Sequence, residues 1–297
     1  MYILKIHDIV ELLFCPDDKS QIILHDNELI CTKCERKFSI DENIIDMRPK
    51  SKTNIKNDEE KLTYSDYYES LFQDGDPGKA GTFGLSSKSI SEGFVTETLN
   101  QLENFFTSNL TVCDVGAATG DYSVFLAKKC KLMIHCDLDI NGLLISQKKA
   151  IQEKVDNILF LRCDYFQIPF RNETIDLAYS IDVVERGMVH DQKILKEISR
   201  IIKSKGTLIF DYHTKERTKL TRIHHTGWMS AYSNDEIKNL IDKLPFLKSN
   251  FIGTGYVPQL KQWSNIEYSV FNPLLKFLKF PPARELVICL TKSLLPR

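Results

Sequence analysis

The chain has 297 residues, 42% of them hydrophobic, and a formal net charge of −1. This length and apolar content can bury a full core, and they suggest one large domain with a small module beside it. The sequence shows no apolar run of about 18 residues, no secretory signal pattern, and eight cysteines whose placement suits a reducing compartment, so we expect a cytoplasmic protein without a transmembrane segment or a disulfide scaffold.

Two short cysteine motifs lie near the N-terminus, Cys15-Pro-Asp-Asp18 and Cys31-Thr-Lys-Cys34, with a hairpin-like stretch between them. Two such turns on a β-hairpin can bring four ligands into the tetrahedron that zinc prefers. We therefore predict a zinc-ribbon-like module over residues 1–49, with Cys15, Asp18, Cys31 and Cys34 as metal ligands. Three thiolates with one carboxylate are uncommon for structural zinc, so a ribbon without metal is the alternative interpretation.

A polar, charged segment without periodicity follows at 50–62 and is predicted to be a linker. The domain predicted for 63–297 begins with aromatic and apolar residues spaced for one helical face, namely Tyr64, Tyr67, Tyr68, Leu71 and Phe72. The stretch Ser89–Phe106 is predicted to be the helix that precedes the first strand of this domain.

The most informative motif is Val-Cys-Asp-Val-Gly-Ala-Ala-Thr-Gly-Asp-Tyr-Ser at 112–123. Apolar residues lead into Asp114, small residues run from Gly116 to Gly120, and a helical pattern begins near Tyr122. A strand, a glycine turn and a helix N-terminus place a ligand at the end of a parallel sheet. Glycine allows the backbone to approach that ligand closely.

An ordered series of acidic residues follows at the ends of the next predicted strands. Asp137 ends the run Leu132–Cys136 and lies 21 residues after Gly116, where a carboxylate normally holds a ribose diol. Asp164 ends the run Ile158–Cys163. The fourth run, Leu177–Ile181, leads into Asp182 and Glu185. The helix predicted at Asp191–Lys203 is stopped by Gly206, and Thr207–Phe210 is predicted to be a fifth strand.

These motifs together resemble a class I S-adenosylmethionine-dependent methyltransferase, of the methyltransferase type 11 kind, over residues 60 to 255. The resemblance implies an α/β fold with a Rossmann-like, seven-stranded sheet and helices on both faces, beside the small β-rich ribbon. It implies that the glycine turn contacts the methionine part of the cofactor, Asp137 the ribose and Asp164 the adenine amino group. The cofactor-binding residues are then Asp114, Gly116, Ala117, Gly120, Asp137, Asp164, Tyr165 and Asp182.

The N-terminal segment resembles the ribbon that precedes the catalytic core in some ribosomal RNA guanine methyltransferases, a pattern with cysteine at the position of Asp18. The aromatic helix at Tyr64–Phe72 resembles a lid over the cofactor, although packing in the core explains it equally well. Asp139 competes with Asp137 for the ribose role. An NAD-binding unit is the main alternative for the cofactor site, but position 118 is alanine where that motif prefers glycine.

Charge is unevenly distributed along the chain. Residues 187–297 carry 18 Lys and Arg against 9 Asp and Glu, whereas residues 51–186 carry 14 against 21. A basic last third favours an anionic acceptor or membrane surface, or is simply a solvated face. The apolar and basic run at 271–290 could lie on a membrane, although packing against the core is the better interpretation.

The resulting hypothesis is an enzyme that methylates an oxygen or nitrogen of a small or lipid-linked, anionic metabolite. Glu185, His224 and His225 are the candidate catalytic residues, because transfer to a hydroxyl or amine needs a base. The alternatives are an RNA or protein methyltransferase that uses the ribbon for recognition, and a non-catalytic regulatory protein that binds the cofactor. The acidic ribbon argues against nucleic acid.

Overall fold

The computed structural model describes residues 6, 9–26, 28–41, 43–50, 88–185, 187–221, 230–257, 265–282 and 284–291. His224 and His225 lie outside these residues, as do the aromatic segment Tyr64–Phe72 and the predicted linker beyond Lys50.

The described strands form one small and one large sheet. In chain order they are β1 (Ile22–His25), β2 (Glu28–Cys31), β3 (Lys37–Phe38), β4 (Ile40–Asp41), β5 (Ile44–Asp46), β6 (Thr111–Val115), β7 (Leu132–Asp137), β8 (Ile158–Arg162), β9 (Ile175–Ser180), β10 (Ile202–Thr214), β11 (Ala231–Tyr232), β12 (Phe246–Thr254) and β13 (Arg284–Thr291). Strands β1, β2 and β3 form the small antiparallel sheet.

The large sheet contains the predicted seven-stranded arrangement, in the order β12-β13-β10-β9-β6-β7-β8. All neighbours from β10 to β8 pair in parallel, and β13 is antiparallel to both β10 and β12. The strands β6–β9 are almost wholly buried, which explains their continuous apolar runs. The predicted fold class is therefore confirmed.

Helices cover both faces of this sheet. They are α1 (Lys88–Leu102), α2 (Ser123–Ala127), α3 (Ile140–Gln152), α4 (Met188–Ile201), α5 (Lys215–Thr221), α6 (Asn234–Ile241) and α7 (Asn265–Phe277). One core contains apolar residues of α1, α2 and α3, and the other contains those of α4 and α6. Among the helices of the described residues, none combines the length and apolar composition that crossing a bilayer requires.

The boundary predicted between α4 and the strand that follows it is wrong. The helix ends at Ile201, and β10 begins at Ile202 rather than at Thr207. The pairing of β10 with β9 shifts register between Ile202 and Thr207. A Cβ at Gly206 would lie 2.7 Å from the carbonyl oxygen of Asp176, so this glycine serves a close backbone approach within the strand instead of stopping the helix.

The N-terminal segment continues the large sheet. Strand β5 pairs in parallel with β8, and β4 pairs with β5. Leu13 forms a bridge with Phe170, and both side chains are fully buried. The N-terminal apolar residues thus share a core with the large sheet. The domain boundaries predicted from sequence stay a prediction.

Candidate active site

The candidate cofactor site lies where parallel strands end. Strand β6 is flanked by β7 on one side and β9 on the other. After β6 the chain adds β7 and β8 on one side and then β9 and β10 on the other. Strand β6 is therefore the topological switch point of the sheet. Ligands of open α/β sheets bind in the crevice at such a point, outside the carboxyl ends of the strands. The predicted cofactor residues from Asp114 to Asp182 belong to this edge.

The glycine turn has the backbone conformation that its sequence predicts. Three residues of the turn have positive φ angles: +74° at Gly116, +46° at Ala118 and +77° at Gly120. Residues other than glycine rarely adopt this backbone region. A Cβ at Gly116 would lie 2.6 Å from Val183 Cγ2, and one at Gly120 would overlap Ser146 Oγ. At both positions glycine is required for two reasons: the φ angle is positive, and a Cβ would collide with a neighbouring side chain.

Asp137 fixes the turn from the next strand. Its carboxylate accepts hydrogen bonds from the backbone N–H of Ala118 at 2.7 Å and of Asp139 at 2.8 Å. Burial, the largest effect, raises the pKa of Asp137 to about 6. Asp139 instead caps α3, because its side chain accepts from the backbone N–H of Asn141 and Gly142. Asp137 is thus bonded to the glycine turn, whereas Asp139 is bonded to the first turn of the helix.

Asp114 is buried behind the turn and accepts a hydrogen bond from the Tyr179 hydroxyl at 2.8 Å. Burial raises the pKa of Asp114 to about 7, and the neighbouring Asp137 adds to the rise. The two carboxylates therefore form an electrostatically linked pair beneath the crevice. A cationic ligand would stabilise their ionised forms.

Asp164 begins the loop after β8 and is 3% exposed. Its side chain accepts from the backbone N–H of Phe166 at 2.9 Å. The Tyr165 ring packs edge-on against Phe166, with ring centroids 4.8 Å apart. The local turn thus places a carboxylate and an aromatic ring together at this end of the sheet.

A second cluster lies at the ends of β9 and β10. Glu185 Oε2 is 3.2 Å from His213 Nε2, and both side chains are largely buried. Arg284 pairs with Asp182 and, at 2.9 Å, with Asp211, whose carboxylate also accepts from the Asp182 backbone N–H at 2.8 Å. Asp182 has a φ of +63°, so the loop after β9 contains a residue in the left-handed backbone region, which residues other than glycine rarely adopt.

Ligand atoms of Asp182, Glu185 and His213 lie within 4.8 Å of one another, a spacing that could suit a metal ion. Arg284 already places a positive charge against Asp182 in this cluster. Burial of Asp211 and the charge of Glu185 raise the pKa of Asp211 well above its ordinary value. The cluster is thus an acidic network partly neutralised by one guanidinium group.

The model of a methyltransferase domain family matches residues 106–270, which is more than half of the chain and includes the cofactor edge and all residues of the second cluster except Arg284. The chain belongs to this methyltransferase domain family. Its core is an S-adenosylmethionine-dependent methyltransferase domain, as the glycine turn and the acidic strand ends indicate.

Individual known proteins are distant relatives of this methyltransferase domain. Demethylmenaquinone methyltransferase of Lactiplantibacillus plantarum is 29% identical over 117 residues, which are 38% of this chain and 48% of that protein. The ubiquinone/menaquinone biosynthesis C-methyltransferase UbiE of Campylobacter jejuni is 22% identical over 157 residues, 52% of this chain and 63% of that protein. The chain thus spans about half to somewhat under two thirds of these relatives.

Among solved structures, magnesium protoporphyrin IX methyltransferase from Synechocystis with bound S-adenosylhomocysteine superposes with a TM-score of 0.56. It is 15% identical, and the match covers 78% of this chain and 100% of that one. At this identity the likeness establishes the fold of the methyltransferase domain.

The N-terminal cluster has two turns of the same form. In the first, the Lys19 N–H donates to the Cys15 carbonyl at 2.8 Å, and in the second, the Glu35 N–H donates to the Cys31 carbonyl at 3.1 Å. Lys19 and Glu35 have φ angles of +59° and +58°. Asp18 therefore occupies, in the first turn, the position that cysteine occupies in the second.

The distances in this cluster fit a tetrahedral zinc ion. Cys15 Sγ and Cys34 Sγ are 3.7 Å apart, and Cys31 Sγ is 3.6 Å from Asp18 Oδ1. Two thiolates bound to tetrahedral zinc are about 3.8 Å apart, and a thiolate and a carboxylate oxygen about 3.6 Å. Backbone N–H groups of Lys33 and Cys34 donate to Cys31 Sγ, each at 3.4 Å. These bonds suit a thiolate.

Sequence reasoning missed several residues of the site. The residues missed were Tyr179, Asp211 and Arg284, whose contacts depend on how the strands pair. Arg284, for example, is distant in sequence from His213, and the pairing of β13 with β10 brings the two together. His135 was seen only as part of a strand. A polar residue in an otherwise apolar buried run was the available signal.

Proposed function

We propose that this protein transfers the methyl group of S-adenosylmethionine to an oxygen or nitrogen of a small or lipid-linked acceptor. The observation that carries the proposal is the glycine turn held against Asp137 at the switch point of the sheet. A turn without projecting side chains beside a row of carboxylates suits an adenosyl group that carries a positive charge.

The residues of the cofactor edge have separate roles in this proposal. Asp137 accepts hydrogen bonds from the ribose hydroxyls, and Asp164 accepts from the adenine amino group. The turn from Gly116 to Gly120 lies against the methionine part, and the buried carboxylate of Asp114 favours its positive charges. The cofactor supplies an activated methyl group, so the protein needs chiefly to align the acceptor and exclude water.

The Glu185–His213 pair is the proposed base. The pair lies at the ends of β9 and β10, next to the crevice, and its atoms are within hydrogen-bond distance. It can take the proton that a hydroxyl or amine loses upon methylation. Glu185 was a candidate from sequence, and the structure adds its histidine neighbour; the roles of His224 and His225 stay predictions.

The charges at this edge bear on the class of acceptor. The second cluster contains one arginine, Arg284, and three acidic residues, Asp182, Glu185 and Asp211. This local excess of carboxylates favours a neutral or cationic reacting group, although the last third of the chain is basic as a whole. An anionic part of the acceptor would therefore bind away from the reacting atom.

A lipid-linked acceptor, reached at the periphery of a membrane, is supported by α7. Six of the eleven exposed large apolar side chains in the described part of the chain lie on or beside this helix: Ile266, Val270, Phe271, Leu274, Phe277 and Leu278. Arg284 opposes both Thr254 and His213, so the connection that contains α7 leaves and re-enters the sheet at the edge with the candidate site. The quinone and porphyrin named for the relatives are likewise small molecules.

Incubation with methyl-labelled S-adenosylmethionine tests the proposal. We would supply aqueous metabolites, a lipid extract, RNA and proteins as separate fractions, with an Asp137→Ala variant as the control. Label that enters a metabolite or lipid, and is lost with the variant, supports the proposal. Label in RNA or protein favours the alternative enzyme, and cofactor binding without transfer to any fraction favours a regulatory protein.

We also propose that the N-terminal cluster holds a structural zinc ion through Cys15, Asp18, Cys31 and Cys34. The similarity of the two turns and the fit of the distances to a tetrahedron support this proposal. All four positions belong to protein side chains, which is typical of closed structural sites. Metal analysis of the purified protein, compared with a Cys31→Ser variant, tests it.

A further inference from the structure

We infer that His135 is a positioning residue for the cofactor, because it fixes the Ala118 carbonyl and thereby the direction of the glycine-turn amides. The inference rests on the proposed function, since the turn must hold the methionine part of S-adenosylmethionine. His135 lies in the middle of β7, and its side chain is fully buried.

The imidazole links three elements of the site. Its Nε2 lies 3.2 Å from the Ala118 carbonyl oxygen, and its Nδ1 lies 2.7 Å from Ser123 Oγ in α2 and 3.4 Å from Ser146 Oγ in α3. Because a carbonyl oxygen only accepts, Nε2 carries the proton, and Nδ1 is the acceptor that faces Ser123, a residue that also hydrogen-bonds to Asp114 and lowers its pKa. The hydrogen bonds thus determine one tautomer.

This tautomer persists across the working pH range. Burial, the dominant effect, lowers the pKa of His135 to about 3. The ring is therefore neutral, and it always offers one donor to the turn and one acceptor to Ser123. His135 therefore acts by orienting the glycine turn, and it adds no charge beneath the cofactor.

Three consecutive residues of β7 hold the turn. The His135 ring donates to the Ala118 carbonyl, the Cys136 carbonyl accepts from Gly116 and Ala117 at 2.9 and 3.0 Å, and Asp137 accepts from Ala118 at 2.7 Å. Ala118 is thus held at both its N–H and its carbonyl, in a conformation with a φ of +46° that alanine rarely adopts. Such a conformation persists only where neighbouring groups enforce it.

The surroundings leave the Ala118 carbonyl little freedom. A Cβ built on Gly142 would lie 3.0 Å from the Ala118 carbonyl oxygen, and the space beside Gly120 is filled by Ser146. Ser146, which lies near His135, therefore also borders the turn. Loss of the imidazole would leave the Ala118 carbonyl without this donor and release the peptide between Ala118 and Thr119.

Two substitutions at position 135 separate positioning from simple packing. His135→Phe keeps a buried ring but removes both hydrogen bonds, whereas His135→Gln retains a donor and an acceptor on a flexible chain. Ser199→Ala is the matched control, because it also removes one buried hydrogen bond, from Ser199 Oγ to the Leu195 carbonyl in α4. Binding of S-adenosylhomocysteine is measured by calorimetry at a temperature where each protein is folded.

We expect about tenfold weaker binding by His135→Phe, binding within about threefold of wild type by His135→Gln, and unchanged binding by Ser199→Ala. Equal affinity of His135→Phe and wild type would overturn the inference. If His135→Phe does not fold, the protonation of the wild-type imidazole, measured from its nitrogen chemical shifts, decides the question.

Nitrogen chemical shifts of the imidazole give a second readout that needs no ligand. A proton on Nε2 supports the positioning role, and a proton on Nδ1 contradicts it. Failure of the wild-type protein to bind S-adenosylhomocysteine would refute the proposed function itself. Binding by wild type and equally by His135→Phe would refute only the inference about His135.

Discussion

Substitution of Gly116 by alanine should damage the cofactor site through two separable effects. The first is backbone strain, because Gly116 has a φ of +74°. The second is overlap, because the added Cβ would lie 2.6 Å from Val183 Cγ2, about 1 Å closer than the optimal separation of two carbon atoms. Gly187 has a φ of +111° but no atom within 4 Å of its added Cβ. With its ψ of +145°, Gly187 is close to a backbone region that essentially only glycine adopts, so Gly187→Ala is a control that carries backbone strain without overlap.

The magnitudes follow from these contacts. Left-handed backbone costs an L-residue about 1–2 kcal/mol, and overpacking of a buried position costs about 1–3 kcal/mol more. We therefore expect the free energy of unfolding to fall by about 2–5 kcal/mol for Gly116→Ala and by about 1–3 kcal/mol for Gly187→Ala. Each kcal/mol corresponds to a loss of about 2–4 °C in Tm for a domain of this class.

Urea unfolding and calorimetric titration with S-adenosylhomocysteine measure both consequences. Adding Val183→Ala to Gly116→Ala should recover the overlap part, which a double-mutant cycle reports as a coupling of about 1–3 kcal/mol. No coupling between Gly116→Ala and Val183→Ala would show that the close approach of the turn to the loop after β9 is not what constrains Gly116.

Four further predictions concern other parts of the molecule. Burial raises the pKa of Asp137 to about 6 and that of its linked neighbour Asp114 to about 7, so affinity for S-adenosylhomocysteine should fall from about pH 8 to 5 as the pair takes up protons. Calorimetry should find a smaller fall for Asp137→Asn, which keeps only Asp114; equal falls for variant and wild type, or a flat wild-type profile, would exclude Asp137 from the ribose role. Glu185→Gln should lower turnover about 100-fold at unchanged cofactor affinity, and normal turnover would remove Glu185 from catalysis. Asp18→Cys should tighten zinc binding in a competition assay with a chelator, and a purified wild-type protein that neither contains nor takes up zinc would contradict the proposed site. Replacing Phe277 and Leu278 by serine should reduce sedimentation of the protein with anionic vesicles, whereas wild-type protein that stays in the supernatant would count against membrane contact.

The sequence predicted those parts of the fold that local patterns determine. The apolar runs ending at Asp137 and Asp164 are buried parallel strands, and burial on both faces requires such continuous runs. The turn between Gly116 and Gly120 was also predictable, because glycine is required where φ is positive and a Cβ would collide. Helix α6 begins after Ser233, whose side chain and that of Glu236 form a capping box, a pattern that is local in the sequence.

Features that depend on distant pairing were beyond local patterns. Arg284 reaches Asp182 and Asp211 because β13 lies antiparallel to β10. Gly206 looked like a helix terminator, although its neighbours in space, chiefly the Asp176 carbonyl, explain it. In the same way, the pairing of β5 with β8 joins segments more than 100 residues apart, and no periodicity encodes such a partner.

That pairing has a practical consequence for anyone who wishes to express the catalytic half by itself. Removal of the first 50 residues would uncover the outer rim of the sheet, where the amides and carbonyls of β8 now bond to β5. It would also uncover Phe170, which Leu13 shields. A bare rim of this kind recruits other chains, so the truncated product should form inclusion bodies or self-associate, however complete its methyl-transfer machinery.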